Sequence, residues 1–164
     1  MEKSQSSPAL LRVSALAARR SWPGATVVLV DLTDAVASSA EELKKAGLKT
    51  DYRKCDVSNL EQVQQMVDDV VKTYGKIDIL HNNAGVNRRV KFEDMDTKTR
   101  DFIIGVNILG VWNVARAVWP YMLKANYGRN INTSSVTGVK VVDEGQTTYA
   151  LTKGAVLGFT KALA

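Results

Sequence analysis

Two alternating hydrophobic periods most constrain what this chain can fold into. Short β-branched apolar runs, of which Thr26-Val27-Val28-Leu29-Val30 is the clearest, read as buried parallel strands. Between them lie stretches whose apolar residues recur three and four apart, the spacing of an amphipathic helix. Val63, Met66, Val67, Val70, Val71 and Tyr74 make the plainest such stripe. Strands at 26–30, 49–55, 77–80 and 130–133 are predicted. The first helix turns Val36, Ala40 and Leu43 inward, with Gly47 placed as its C-cap. Ser58-x-x-Glu61 is a capping box for the second, and Gly75 ends it. A long helix over about 97–125 carries Asn107 and is predicted to kink at Pro120. A last helix runs from Tyr149 to the end. This alternation requires right-handed crossovers and a parallel sheet covered on both faces.

In such sheets ligands bind beyond the carboxyl ends of the strands. Asp31, Asp56, the Asn82-Asn83-Ala84-Gly85 turn and Ser134-Ser135 all fall at those ends. They should share one edge.

Composition bounds the chemistry. The 164 residues suffice for one domain and not for two ordinary ones. The net charge of +5 comes from mixed signs, with no basic block or aromatic-interleaved basic stripe to suggest nucleic acid. One cysteine, Cys55, excludes an internal disulfide framework, and one histidine, His81, excludes a histidine-rich metal site. Cys55 reads as a small buried residue, and His81 as a strand-edge residue, not a base. No apolar run in the sequence approaches the roughly 20 residues of a membrane helix, and a cytoplasmic location is expected. Residues 1–24 hold three arginines and one acid, a composition that resembles an organellar transit peptide. The favoured alternative is an irregular start, over about 1–14, with an ordinary helix over about 9–20.

Tyr149-x-x-x-Lys153 places a hydroxyl and an ammonium on one helix face. A free tyrosine gives up its proton near pH ~10. A nearby cation favours the phenolate, which makes the pair a workable acid/base device. Taken alone, such a pair also recurs on solvated helices.

Asn82-Asn83-Ala84-Gly85, then Asn107, then Ser135 and Tyr149-x-x-x-Lys153 resemble the short-chain dehydrogenase/reductase family in order and spacing over about 15–164. The resemblance implies an oxidoreductase that moves a hydride between a nicotinamide cofactor and an alcohol or carbonyl substrate. Tyr149 would be the general acid/base. Lys153 would lower its pKa and bind the nicotinamide ribose. Ser135, or Ser134 if the register slips, would hold the substrate oxygen as it gains charge. Asn107 would hold a water linking Lys153 to solvent. Asp31 would accept hydrogen bonds from the adenosine ribose and repel a 2′-phosphate, which favours NAD over NADP. Asp56 and Val57 would contact the adenine. Asn83, Ala84 and Gly85 would line the cofactor, and Asn82 would tie the strand ends together. Asp31 and Asp56 could equally be helix-entry residues.

The resemblance also has departures. The family's first strand and Thr-Gly-x-x-x-Gly-x-Gly turn cradle the pyrophosphate. They should fall in the first dozen residues here, yet no glycine precedes Gly24. The chain ends inside the Tyr149 helix. The predicted fold is therefore α/β: a partial Rossmann-like, doubly wound parallel sheet lacking the first strand with its glycine-rich turn and the C-terminal strands. Two functions follow, the oxidoreductase or an inactive remnant acting at most as an interaction partner. A homodimer or homotetramer through Val111, Trp112, Val118, Trp119, Ala155 and Phe159 is implied by resemblance.

Overall fold

The computed structural model describes residues 24–140 and 143–164, and the backbone of 9–13. Five strands, β1 Ala9–Val13, β2 Thr26–Asp31, β3 Lys49–Lys54, β4 Ile79–Asn82 and β5 Arg129–Asn132, form one sheet. All pairings are parallel, in the order β3-β2-β1-β4-β5. The α/β class and the crossover topology are as the alternating periods predict.

The centre of the sheet corrects one expectation. Residues 9–13 are neither irregular nor helical, and the sheet does not lack its first strand. Ala9–Val13 pairs with β2 on one side and β4 on the other, Leu11 standing opposite both Val28 and Leu80. Without it, both neighbours would leave a row of backbone N–H and C=O groups unpaired in the interior. That demand outweighs the helical pattern of the local alanines, leucines and arginines. The remaining expectations for residues 1–8 and 14–23 lie outside the described residues.

The helices are α1 Ala35–Lys45, α2 Leu60–Tyr74, α3 Thr97–Ile104, α4 Val111–Ala125 and α5 Thr147–Leu163. The sheet face carrying Val28, Val30 and Leu80 packs against Val63, Val67 and Val70 of α2 and Val114 and Val118 of α4, with Phe159 of α5 at the margin. The other face, carrying Val27 and Leu29, packs against Val36, Ala40 and Leu43 of α1. Each such side chain, fully buried, contributes roughly 1.5–3 kcal/mol.

Two local expectations shift. The cap of α2 is Asn59, whose side chain accepts from Gln62 N at 3.1 Å, and not Ser58. Ser58 is taken by Asp56, whose Oδ1 accepts from its N–H at 2.9 Å and its hydroxyl at 2.7 Å. The long helix is interrupted at a π-turn, Gly105–Gly110, and not at Pro120, which lies inside α4. The carbonyl that Pro120 leaves without a donor belongs to Arg116. Both residues lie on the exposed side of α4. The π-turn ends in close packing: a Cβ on Gly110 would stand 2.6 Å from Val57 Cγ2, so the position calls for glycine.

Contrary to the expectation from sequence, Thr97–Ala125 is long and apolar enough, by length and composition alone, to cross a membrane. Half of its most apolar window is buried inside the fold. Val114, Val118 and Met122 pack on the sheet, as a core helix does.

Candidate active site

The carboxyl ends of β2, β3 and β4 border a cavity of about 270 Å³. Asp31, Asp56, Val57, Asn83, Ala84 and Gly85, six residues singled out from sequence, all line it. Asp31 Oδ1 accepts from Thr33 N at 3.0 Å and from Thr33 Oγ1 at 2.9 Å. Oδ2 has no such bond among the described residues. Asp56 uses one oxygen on Ser58 in the same way, so each carboxylate shapes its loop and keeps acceptor capacity. Asn83 Oδ1 accepts from the Thr133 hydroxyl at 2.9 Å. That hydroxyl, having used its proton, accepts from His81 Nε2 at 3.1 Å, which assigns the proton to that nitrogen. Asn82 donates to Val111 O and Asn132 Oδ1 and joins β4 to α4 and β5.

The second group stands across Gly85. Lys153 is 4% exposed, and its Nζ donates to Thr133 O at 2.8 Å. The same ammonium sits 5.7 Å from the centre of the Tyr149 ring, within reach of a cation–π attraction. Burial lowers the Lys153 pKa below the ordinary lysine value. A Cβ on Gly85 would stand 3.4 Å from Asn107 Oδ1 and 3.5 Å from Lys153 Nζ, so the β4 turn runs directly over both side chains.

The π-turn aims the fully buried Asn107 at this point. Its Oδ1 accepts from Val86 N at 2.8 Å, and its Nδ2 donates to Val86 O at 2.9 Å and to Thr152 Oγ1 at 3.1 Å. Of the two serines, Ser134 donates to Lys153 O at 2.7 Å and is committed to holding α5. Ser135 Oγ accepts from Thr137 N at 3.2 Å and keeps its own proton for another acceptor.

Three residues of this region carried no sequence signal of their own. Phe102 and Val106 line the cavity. Their separation of four puts them on one face of the predicted long helix, but nothing in the sequence says that this face borders the strand ends. Thr152 is fully buried and bridges Asn107 to Tyr149 O, to which it donates at 2.8 Å. A larger recess of about 610 Å³ lies at the amino end of β5, among Trp119, Met122, Leu123 and Leu163. It holds no carboxylate, cysteine, histidine or lysine side chain. The cluster at the carboxyl ends is therefore the chemically equipped one. No group of three metal-ligating side chains occurs among the described residues.

Comparison with known proteins identifies the family. A family model described as short chain dehydrogenase matches residues 14–164. Oxidoreductase UcpA of Salmonella typhimurium is 48% identical over 141 residues, covering 86% of this chain and 54% of the relative. The 3-oxoacyl-[acyl-carrier-protein] reductase FabG of Thermotoga maritima is 39% identical over 145 residues, 86% of this chain and 57% of its own. The structure of NAD+-bound xylitol dehydrogenase superimposes with a TM-score of 0.90 at 29% identity, over 99% of this chain and 65% of that one. A variant of actinorhodin polyketide ketoreductase with NADPH gives 0.91 at 29% identity, over 99% and 66%. The chain spans about half the length of the curated relatives it matches.

Proposed function

The chain belongs to the short-chain dehydrogenase family, and we propose that its site moves a hydride between a nicotinamide nucleotide and an alcohol or carbonyl substrate. One observation carries the reading. Lys153, Tyr149 and Asn107 gather at Gly85, on the rim of the cavity that Asp31 and Asp56 line. The residues present fit an adenine nucleotide. The cavity of about 270 Å³ runs along Asp31, Asp56 and the Asn83–Gly85 turn, and Asp31 keeps one carboxylate oxygen for ribose hydroxyls. A fixed carboxylate there opposes a 2′-phosphate, which favours NAD over NADP. Asp56 and Val57 would face the adenine, and Asn83, Ala84 and Gly85 the rest of the nucleotide.

When bound, the nicotinamide supplies or accepts the hydride. Tyr149 gives or takes the proton at the substrate oxygen. Ser135, whose proton is uncommitted, donates to that oxygen as it gains charge. Lys153 would hold the nicotinamide ribose. Asn107 has spent its side-chain amide on Val86 and Thr152. Beyond those bonds, Asn107 would hold the water that links Lys153 to solvent. The outward side of α4 and α5 offers Trp112, 51% exposed and 5.6 Å from the Phe159 ring, together with Trp119, for contact with a second subunit. Val111 and Val118 serve the core of their own subunit instead.

Calorimetry with NAD and NADP tests the nucleotide assignment, and nicotinamide absorbance with acetoacetyl-CoA and with xylitol tests turnover. NAD should bind more tightly than NADP, and Asp31→Ser should narrow the difference. Tyr149→Phe should bind NAD as the wild type does and lose turnover by about a thousandfold. Equal turnover in Tyr149→Phe, or failure to bind either nucleotide, would sink the reading.

A further inference from the structure

Two loops leave the carboxyl edge of the sheet beside Tyr149, one after β4 and one after β5, and they are fastened to each other. Val90 N donates to Gly145 O at 3.0 Å. Gly145 has φ +72°, and a Cβ there would stand 3.2 Å from Val90 N, so this approach calls for glycine. Lys91 Nζ pairs with Glu144 Oε1 at 3.2 Å, and Arg89 Nη2 with Asp143 Oδ2 at 3.3 Å. All four of these side chains are exposed, and exposed ion pairs by themselves hold little.

The Arg89 guanidinium makes a further contact that reaches inside. With the Gln146 amide oriented with its oxygen toward Arg89, in place of a 3.5 Å contact from its Nε2 to Asp143 Oδ2, that oxygen accepts from Arg89 Nη2 at 2.7 Å and from Nε at 3.1 Å. Gln146 is 5% exposed and is the N-cap of α5, and its main-chain carbonyl accepts from Ala150 N at 2.8 Å. Tyr149 stands three positions further on. A planar, two-point donor on one loop thus grips the buried residue that sets where the catalytic helix begins.

We propose that Arg89 is a positioning residue: through Gln146 it fixes the first turn of α5, and with it the Tyr149 hydroxyl, to the loop after β4. The role in turnover rests on the oxidoreductase reading above; the mechanical coupling does not. Lysine at 89 can pair with Asp143 but cannot reproduce the two-point grip on Gln146. Asparagine at 143 removes the ion pair and leaves the grip.

Amide hydrogen exchange on the whole chain, read at single residues by NMR, tests the coupling without any substrate. Arg89→Met should speed exchange at both Val90 and Ala150 by about fivefold or more, while the core amide of Leu29 stays within about twofold. Arg89→Lys should fall between, and Asp143→Asn should leave Ala150 within about twofold of wild type. If Arg89→Met frees Val90 but not Ala150, Arg89 holds only its own loop and the proposal fails. It fails equally if Asp143→Asn reproduces the Arg89→Met effect at Ala150, since the ion pair would then be the route. In turnover of acetoacetyl-CoA, Arg89→Met should lower kcat about tenfold with the nucleotide KM unchanged. A wild type without turnover defeats the oxidoreductase reading, and the exchange result still decides the coupling.

Discussion

Among the described residues the two faces of the sheet are covered unequally, and the proposed site lies with one of them. On the first face, β2 and β4 send Val28, Val30 and Leu80 into a core shared by α2 and α4 and edged by α5. This face also receives Asn82 and, from the register of β4 with β5, Asn130 and Asn132. On the second face, α1 alone among the described helices covers Val27 and Leu29. Beyond them on the same side come Ile79, His81 and Ile131, the last 38% exposed. The helices that carry the proposed site, the π-interrupted α3–α4 run and α5, are thus braced by the larger core. Precise placement of Lys153 and Tyr149 needs a rigid support, and the fold supplies it where the side chains are needed.

The largest effect should come from the heavier face. Leu80 is buried between β4, α2 and α4. Leu80→Ala removes its transfer energy and leaves a cavity that fixed neighbours cannot close, at a cost of about 2–5 kcal/mol. Denaturant midpoints measure it. A cost under about 1 kcal/mol would mean that this face repacks freely, and the contrast between the faces would be lost.

How much of this was legible in the sequence follows the same division. Where one helix meets one strand, the periods sufficed: Val36, Ala40 and Leu43 are all buried as their spacing predicts, and so are Val63, Met66, Val67 and Val70. The residues at strand ends were also legible, because a parallel topology brings such ends to one edge whatever lies between them. What stayed hidden depends on distant partners. Nothing local in Ala9–Val13 states that two strands will flank it; only the pairing on both sides makes it a strand. The helix interruption went to Pro120 on propensity, whereas it falls at Gly105–Gly110, where the helix passes close to Val57. Thr152 drew no notice because a buried hydroxyl shows its use only when Asn107 arrives from forty-five residues away.

A middle-sized effect should appear at the edge strand, where the first face turns polar. Asp51 and Arg53 of β3 reach Tyr74 and Asp69 of α2: the Tyr74 hydroxyl donates to Asp51 Oδ2 at 2.8 Å, and Arg53 bonds both carboxylates. Burial, then the bond to Asp51, pushes the Tyr74 pKa up to about 12. The folded value lies above that of a free tyrosine, near ~10. This contribution is therefore complete below pH ~10 and fades as pH rises toward ~12. Asp51 runs the other way. Partial burial raises its pKa, but bonds from Arg53, Tyr74 and Tyr52 N outweigh that and hold it below the ordinary value. Its contribution is lost as pH falls through that lowered value. Tyr74→Phe should cost about 1 kcal/mol at neutral pH, the charge-assisted bond being discounted for partial exposure, and should flatten the alkaline limb of stability. An unchanged alkaline limb would show that the hydroxyl contributes nothing to holding α2.

The smallest effect should fall on the thinner face. Ile131 stands on β5 opposite His81, with more than a third of its surface open. Ile131→Thr keeps the β-branch that suits a strand and gives up little buried area, so the change should stay within about 0.5 kcal/mol. Thermal melts of this variant beside Leu80→Ala set the two faces against each other directly. A loss above about 1 kcal/mol would mean that Ile131 is covered in solution, by a second copy or by residues outside those described, and that the second face is thicker than α1 alone makes it. Repeating the melt over a hundredfold range of protein concentration separates those causes, because only cover from a second copy weakens on dilution.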